Sequence, residues 1–559
     1  MPFKSGRHRR RVARSGPLAA AVLLGLAACS SAAQKNTPPA SPGTAAARDA
    51  RMATASNGGP AARPTLVVFI AVDQLRGDYF RRWDGQLNGG LARFWRQGAF
   101  FDGRQDHAIT ETAPGHSTML SGRWPAHTGI ATNTLGVQDP ASPLTGAKGE
   151  GASPARFRGT TLADWMRAAD PSVRILSVSR KDRGAILPLG RAKGQVFWYA
   201  SGTFATSAYY MDTLPRWVND FAAPDAFRKQ AGTTWTLLLP DSAYPEPDSV
   251  AYEHGGQDIA FPHRITPNPD AAVLQVPNFP VMDSLTLAFA LRGVNALGLG
   301  RRDRPDLLVI SLSTTDAVGH GYGPESRELH DQVLRLDRWL GSFLDSLAVL
   351  VPRERTLLAL TGDHGVMPYP EWTAATGHGD AGRADLEDLA RQLTQSVGRG
   401  LRGPFLAEAG LVYGDVAGLR ARGLNVDSLA AALADQAAQK PGIARAFTPA
   451  TLAAAPATDT EAVLWRRQIP ADLGWLVAAT VRPGWVWDIG PAYASHGTTQ
   501  VRDQHVPVAF LGAGIPAHRF EQLASTTDIA PTLAAILGLT PAEPLDGRAL
   551  DQIIRRRTP

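Results

Sequence analysis

Four short groups of Asp and His side chains carry the chemistry most visible in this sequence. They are Asp73; Asp316 and His320; Asp363 and His364; and His496. The first three groups follow predicted core strands and the fourth precedes one. Ligands bind at the carboxyl ends of parallel strands, so these side chains are predicted to meet at one edge of a sheet. Such N and O donors suit two divalent metals, most naturally Zn²⁺, and paired ions serve many phosphoryl-transfer enzymes.

A candidate nucleophile lies in the segment 110–118, which contains Thr110 and Thr112. A hydroxyl is a poor nucleophile until a metal lowers its pKa. At a turn into a helix, backbone N–H groups are also available to hold phosphate. Both threonines fit this role, and ordinary helix capping is the alternative for each. The basic segment 179–185, taken alone, is typical of a solvated loop.

Five continuous apolar runs are placed to position these groups. They are residues 66–72, 173–178, 307–312, 356–360 and 506–511. Such runs are typical of strands buried on both faces. Helical patterns lie between them, so the sequence predicts an α/β fold with a mostly parallel central sheet and helices on both faces.

One helical pattern is especially clear. Its apolar stripe consists of Leu329, Val333, Leu336, Leu340, Phe343 and Leu344. The charged residues off this stripe are Glu328, Asp331, Arg335 and Arg338, and they are expected to form a solvated face. Near the C-terminus, residues 527–532 are predicted to open a final helix that runs to Leu537.

Two long stretches interrupt the alternation of strands and helices. Residues 190–295 are rich in aromatic residues and proline, and residues 372–490 are rich in alanine. Both are predicted to be insertions that form a cap beside the active edge of a catalytic domain over 64–545. Residues 546–559 are predicted to be a C-terminal tail.

The N-terminus is typical of a bacterial export signal. Residues 1–28 have a basic start and a short apolar run that ends before Cys29, the one cysteine of the chain. This arrangement resembles a lipoprotein signal, in which the cysteine is lipidated and anchors the protein to the bacterial membrane, facing the periplasm or the cell surface. An ordinary cleaved signal is the alternative. Residues 29–63 are predicted to be a flexible tether.

Charge and cysteine content exclude several classes of function. The formal charge is +6. The six basic residues of the signal segment account for it, so the mature chain is close to neutral and no nucleic-acid-binding surface is expected. The single cysteine leaves no internal disulfide, no cysteine zinc site and no cysteine nucleophile in the folded part.

The segment around Thr112, with Pro114 and His116 after it, resembles the nucleophile block of the alkaline phosphatase superfamily. The chain is most similar to the phosphate-irrepressible, PafA-like alkaline phosphatases, which are related to nucleotide pyrophosphatases/phosphodiesterases. The similarity covers most of residues 65–545. It includes the pair Lys181 and Arg183, which resembles a Lys-x-Arg pair of that group.

The resemblance implies two zinc ions per chain. The residues that it assigns to one ion are Asp316, His320 and His496, and those that it assigns to the other are Asp73, Asp363, His364 and Thr112. It further implies that Thr112 is the nucleophile and forms a covalent phosphothreonine. Asn133 is the implied phosphate-binding amide. Lys181 and Arg183 are implied to interact with the negative charge on the phosphoryl group as it is transferred.

The resulting prediction is a metal-dependent hydrolase of small phosphate monoesters. A phosphodiesterase or nucleotide pyrophosphatase of the same fold is the alternative. A diester carries one charge and a second substituent, whereas a monoester carries about two charges, so the cations Lys181 and Arg183 favour the monoester. A non-catalytic surface lipoprotein that binds metal or phosphate is a third hypothesis, which the complete set of candidate ligands and the candidate nucleophile disfavour.

Overall fold

The structure is a computed structural model that describes residues 63–222, 225–490 and 493–557. The predicted signal segment, Cys29 and almost all of the predicted tether lie outside these residues. No helix in the described ranges is both long and apolar enough to cross a membrane.

The described ranges contain eighteen strands and twenty α-helices. The strands are β1 Leu66–Val72, β2 Ala99–Arg104, β3 Leu144–Thr145, β4 Ile175–Ser179, β5 Gln195–Ala200, β6 Thr203–Ser207, β7 Thr234–Trp235, β8 His263–Arg264, β9 Asp306–Leu312, β10 Thr356–Gly362, β11 Gly382–Ala384, β12 Leu406–Glu408, β13 Leu411–Tyr413, β14 Ile443–Phe447, β15 Trp475–Val481, β16 Trp485–Trp487, β17 His505–Gly512 and β18 His518–Ser525. The helices are Tyr79–Arg82, Gly90–Gln97, Thr112–Met119, Pro125–Thr128, Leu162–Ala169, Asp182–Ile186, Arg216–Ala222, Pro269–Gln275, Val281–Leu297, Thr314–Tyr322, Arg327–Leu350, Pro370–Ala375, Glu387–Val397, Val416–Ala421, Val426–Ala438, Pro449–Ala454, Thr460–Gln468, Val501–Gln504, Ile529–Leu537 and Asp551–Arg557.

A ten-stranded sheet forms the centre of the fold, in the order β18-β2-β17-β10-β1-β9-β4-β5-β6-β3. The block β10-β1-β9-β4-β5 is parallel throughout. Alternate residues of β1 enter opposite cores: Val67 and Phe69 lie in one, Val68 and Ile70 in the other. Both faces of the strand are therefore buried, which explains its unbroken apolar run. The predicted fold class, a mostly parallel sheet with helices on both faces, is confirmed.

The last predicted strand runs against its neighbours. β17 pairs antiparallel with both β10 and β2. An antiparallel strand begins at the edge where its parallel neighbours end. His496 precedes β17, and this reversal explains why a residue before a strand reaches the same edge as residues that follow the other strands.

The long helix Arg327–Leu350 differs from its prediction on one side. Its apolar stripe is buried, as expected, but Glu328 and Asp331 are fully buried as well. Glu328 contacts His263 at 3.1 Å, and Asp331 accepts hydrogen bonds that include one from Trp235 Nε1 at 2.6 Å. The expectation of a solvated face was wrong for these two residues, because the segment between β6 and β9 covers them.

The two predicted insertions have different structures. Residues 190–295 supply β5 and β6, which extend the central sheet, before the chain forms the region above the active edge. Residues 372–490 form a separate four-stranded sheet, in the order β12-β13-β15-β14, with a core of its own. The fold also continues past residue 545, since Arg548 N donates to Asp528 Oδ1 and Ile553 is buried.

Candidate active site

The first group of candidate ligands, here called the inner cluster, consists of Asp73, Asp363 and His364. Asp73 follows β1, and the other two follow β10, the neighbouring strand. His364 Nε2 lies 3.4 Å from Asp73 Oδ1 and 3.6 Å from Asp363 Oδ2. All three side chains are fully buried.

The second group, the outer cluster, consists of Asp316, His320 and His496. Asp316 and His320 are one turn apart on the helix Thr314–Tyr322, which follows β9. His320 Nε2 lies 3.2 Å from Asp316 Oδ1 and 3.2 Å from His496 Nε2. His496 Nε2 is 3.7 Å from Asp316 Oδ1, which closes the triangle.

The three histidines of the two clusters are oriented by main-chain carbonyls. Their Nδ1 atoms donate to the oxygens of Ala494 for His320 (2.7 Å), Gly365 for His364 (2.9 Å) and Thr110 for His496 (2.8 Å). In the neutral imidazole, this tautomer leaves each Nε2 with a lone pair directed at its cluster. Metal-binding histidines are commonly held in this way through their other ring nitrogen.

Both clusters fit a metal ion. Within each, one donor atom per residue lies within 4.8 Å of the others. A tetrahedral zinc ion about 2.0–2.2 Å from its N and O donors spaces them roughly 3.3–3.6 Å apart, close to the separations observed. In the inner cluster, both Asp73 carboxylate oxygens, Asp363 Oδ2 and His364 Nε2 are buried without a hydrogen-bond partner. Buried acceptors without donors are costly, and a cation would satisfy all of them.

The protonation states also suit cation binding. Burial lowers the pKa of His364 to about 4 and, with the His364 and His320 rings, holds the pKa of His496 well below its usual value. Burial opposes protonation of His320, but the Asp316 carboxylate outweighs it and raises the pKa of that histidine. Burial and two neighbouring carboxylates raise the pKa of Asp73 to about 6. The neutral imidazoles needed for metal ligation are thus present at two positions without any metal.

Gln74 links the two clusters, although the sequence pattern did not single it out. Its main-chain N–H donates to Asp363 Oδ1 at 2.9 Å, and its side chain donates to Asp316 Oδ1 at 3.2 Å. The residue has a φ of 65°, which is uncommon for a side chain other than glycine and marks local strain. The His364 and His496 rings also stack, with centroids 3.7 Å apart. The two clusters are therefore joined by direct contacts into one unit.

Thr112 lies beside this unit, at the first residue of the helix Thr112–Met119. Its Oγ1 is 3.2 Å from Lys181 Nζ. A Cβ on Gly115, one turn along, would come within 2.2 Å of the main-chain oxygen of Asp363, so only glycine lets the helix approach the inner cluster. Thr110 Oγ1 instead donates to the Thr498 carbonyl at 2.9 Å. The geometry favours Thr112 over Thr110 as the free hydroxyl.

Lys181 spans the two clusters. Its Nζ lies 2.7 Å from Asp316 Oδ2 and 2.6 Å from Asp73 Oδ2, although the latter approach lacks hydrogen-bond geometry. Arg183 has fewer polar contacts than Lys181. Its nearest carboxylate is Asp182 at 3.7 Å, and its buried Nε has no hydrogen-bond partner. Arg183 therefore has donors available for an anion.

Asn133 faces the same space from a loop. Its Oδ1 accepts a hydrogen bond from Ala113 N at 2.9 Å, so its Nδ2 group is the part left to meet a ligand. Its main-chain N–H donates to Glu111 Oε2 at 3.2 Å. Burial, and then the nearby Glu408 carboxylate, raises the pKa of Glu111 to about 8. Glu111 and Glu408 also lie outside the predicted set, and Glu408 comes from the 372–490 region.

A cavity of about 680 Å³ opens over these groups. Its lining includes Thr112, Asn133, Lys181, Arg183 and the outer cluster. The inner cluster lies beneath it, out of contact with solvent. The structure thus brings every predicted site residue to one edge of the central sheet, either in the lining of this cavity or beneath it.

Comparison with known proteins gives this arrangement a family. The family model for type I phosphodiesterase / nucleotide pyrophosphatase matches residues 67–396. The chain belongs to this family. It is therefore an enzyme, a hydrolase, as predicted.

Its relatives include alkaline phosphatases. Alkaline phosphatase PhoV of Synechococcus elongatus is 31% identical over 529 residues, covering 88% of this chain and 94% of that protein. Alkaline phosphatase PafA of Elizabethkingia meningoseptica is 28% identical over 88% of this chain and 95% of its own length. The predicted resemblance to PafA-like enzymes is confirmed.

Solved structures agree with the sequence comparison. The crystal structure of wild-type PafA superposes with a TM-score of 0.80 at 27% identity, over 89% of this chain and 100% of that one. A second PafA structure, with a threonine, an asparagine, a lysine and an arginine substituted, gives the same TM-score at 26% identity.

Proposed function

We propose that this hydrolase is an alkaline phosphatase: a metal-dependent phosphate monoester hydrolase with Thr112 as its nucleophile. The observation that carries the proposal is the position of the Thr112 hydroxyl, beside an inner cluster whose buried acceptors lack donors and beside Lys181 at 3.2 Å. The alkaline phosphatases among its relatives span nearly the whole chain, which supports the same conclusion.

We further propose two zinc ions per chain. The inner cluster, with the Thr112 hydroxyl, would hold one, and the outer cluster would hold the other. Mixed N and O donors at these spacings suit Zn²⁺. When bound, zinc lowers the pKa of a coordinated hydroxyl and neutralises charge on phosphoryl oxygens.

Thr112 carries out the covalent step. Its Oγ attacks phosphorus in line, the bond from phosphorus to the alcohol oxygen breaks, and the hydroxyl proton is lost to solvent or to the leaving alcohol. The product is a phosphothreonine, and attack by water on its phosphorus then releases inorganic phosphate and restores the hydroxyl. The first main-chain N–H groups after Thr112 are not free, since Ala113 N donates to Asn133 Oδ1 and Gly115 N donates to the Glu111 carbonyl, so side chains supply most of the donors to phosphate.

Three side chains hold the phosphoryl group. Asn133 offers its Nδ2 donors, since its Oδ1 is already bonded to Ala113 N. Arg183 offers donors from a guanidinium that lacks a close carboxylate. With cations bound to the clusters, Lys181 is no longer the counter-charge for Asp73 and Asp316 and can face a phosphoryl oxygen. Fixed donors of this kind stabilise charge as it develops in the transition state.

The experiment that tests the proposal is phosphate release from p-nitrophenyl phosphate by purified protein. Activity should disappear with a chelator and return with Zn²⁺. The family also contains phosphodiesterases, so methyl p-nitrophenyl phosphate is the matched diester. Faster hydrolysis of the diester than of the monoester would assign the chain to the diesterase function instead.

We also propose that the protein is exported and anchored to the bacterial membrane through a lipid on Cys29. The apolar run before this cysteine and its uniqueness in the chain support the proposal. Cys29→Ser should move the protein from the membrane fraction to the soluble fraction and leave its phosphatase activity intact. A wild-type protein that is already soluble after export would overturn the idea.

A further inference from the structure

The cavity above Thr112 is larger than a phosphoryl group requires. Beyond the outer cluster, it is lined by apolar and aromatic side chains: Trp235, Phe279, Tyr322, Ile489 and Tyr493. These surfaces suit the carbon skeleton of the alcohol that leaves. Charged groups on this part of the cavity wall should therefore affect which alcohols the enzyme prefers.

Arg180 is one of these groups. Its guanidinium donates to Asn278 Oδ1 at 3.2 Å and to the Ser313 carbonyl at 3.3 Å, both neutral acceptors. A guanidinium has five N–H donors, so most of its capacity is unused. No carboxylate in the described ranges lies within ion-pair distance of it. Arg180 precedes Lys181 in the chain, but Lys181 is neutralised by two carboxylates and Arg180 is not.

Arg264, at the end of β8, is a second such cation on the cavity wall. Its side chain is exposed and makes no ion pair within the part of the chain that the structure describes. One acidic residue, Asp258, lines this wall, but its Oδ1 lies 3.2 Å from the His263 imidazole. Neither arginine of this wall has a carboxylate within ion-pair distance in the described ranges, so both leave positive charge available to a ligand.

We propose that Arg180 and Arg264 bind a second anionic group on the leaving alcohol. The preferred substrates would then be phosphate monoesters whose alcohol carries a carboxylate or another phosphate beside an apolar or planar body. This inference rests on the proposed monoesterase function. Guanidinium groups suit such anions because they can donate two parallel hydrogen bonds to them.

Two aryl phosphates separate this charge effect from ordinary reactivity: 3-carboxyphenyl phosphate and its neutral counterpart 3-carbamoylphenyl phosphate. We would measure kcat/KM for both with wild type, Arg180→Gln and Arg264→Gln. Arg216→Gln is the control, since this arginine is 94% exposed and does not line the cavity. The ratio of the two kcat/KM values, compared between variants, cancels the intrinsic difference between the leaving groups.

We expect the ratio of acid to amide to fall about tenfold in Arg180→Gln and about threefold in Arg264→Gln, whose side chain is more exposed and more screened. Arg216→Gln should leave it unchanged. The preference for the acid in wild type should also weaken as ionic strength rises. Unchanged ratios, or equal losses for both substrates, would overturn the inference. If wild type hydrolyses neither substrate, the proposed function itself fails.

Discussion

The inner and outer clusters use the same kinds of donor in different surroundings. The inner cluster has two carboxylates and one imidazole, all fully buried. The outer cluster has one carboxylate and two imidazoles, and it lines the cavity, with 23% of the His320 side chain exposed. The inner cluster thus concentrates more negative charge in a region from which water is excluded.

This difference indicates a division of work. Charges interact more strongly where water is excluded, so the inner cluster should hold its cation more tightly and exchange it more slowly. The outer cluster faces the substrate and should exchange its cation more readily. Thr112 and Lys181 lie where the two clusters meet, so both sites bear on the same phosphoryl group.

The largest expected effect is at Thr112, the proposed nucleophile beside the inner cluster. Thr112→Ala should lower kcat/KM for p-nitrophenyl phosphate by roughly 10⁴-fold, since the nucleophile is lost while metals and donors remain. Thr112→Ser should retain much of the activity, because it keeps the hydroxyl. Thr110→Ala is the matched control, and phosphate trapped on Thr110 rather than Thr112 would show that the wrong threonine was chosen.

Matched Asp→Asn changes test the division directly. Asp363→Asn should lower kcat about 10³-fold, because a cation site contributes several kcal/mol to the transition state, and added Zn²⁺ should not restore it. Asp316→Asn should lower kcat by a smaller factor, and excess Zn²⁺ should restore most of the lost activity. Steady-state kinetics across a zinc titration of both variants is the measurement. If added Zn²⁺ restored activity to Asp363→Asn but not to Asp316→Asn, the outer cluster rather than the inner one would be the tighter metal site.

The cations between the clusters and the cavity should decide between monoester and diester. Removing both Lys181 and Arg183 as alanine variants should lower monoesterase kcat/KM by roughly 10²–10⁴, at about 1.5–3 kcal/mol for each lost contact. The methyl diester, which carries one less charge, should lose far less. Equal losses for p-nitrophenyl phosphate and its methyl ester would make the pair structural.

Acidification should produce the smallest effect and separate the clusters. His320 in the metal-free outer cluster has a pKa above its usual 6.5, so protons compete for that site as pH falls below neutrality. Asp73 in the inner cluster has a pKa of about 6, and His364 one of about 4, so competition there begins at lower pH. Metal analysis after equilibration at stepwise lower pH should show the outer ion leaving first. Simultaneous loss would contradict this.

The sheet and the positions of the two clusters were predictable because both depend on local sequence. A strand buried on both faces must be apolar throughout, as β1 is, and a ligand beside the end of such a strand has its position fixed by the strand. Asp73, Asp363 and His364 are of this kind. Asp316 and His320 needed only helical spacing in addition.

Other features depend on contacts between distant segments and had no local signal. Gln74 is recognisable as a link between the clusters only once β10 and the helix after β9 lie beside it. Glu328 and Asp331 have the spacing of a solvated face, and burial came from a segment more than sixty residues away. The direction of β17 likewise could not be predicted from its sequence, since an apolar run has the same pattern in a parallel and in an antiparallel strand.

Metal content measured together with activity decides whether both clusters take part in the reaction. Elemental analysis of purified, active enzyme should find two zinc ions per chain, and stepwise chelation should remove the outer ion first, with activity lost as it leaves. Activity should return as zinc is restored to two equivalents. Active enzyme that holds one metal ion or none would contradict the two-cluster mechanism.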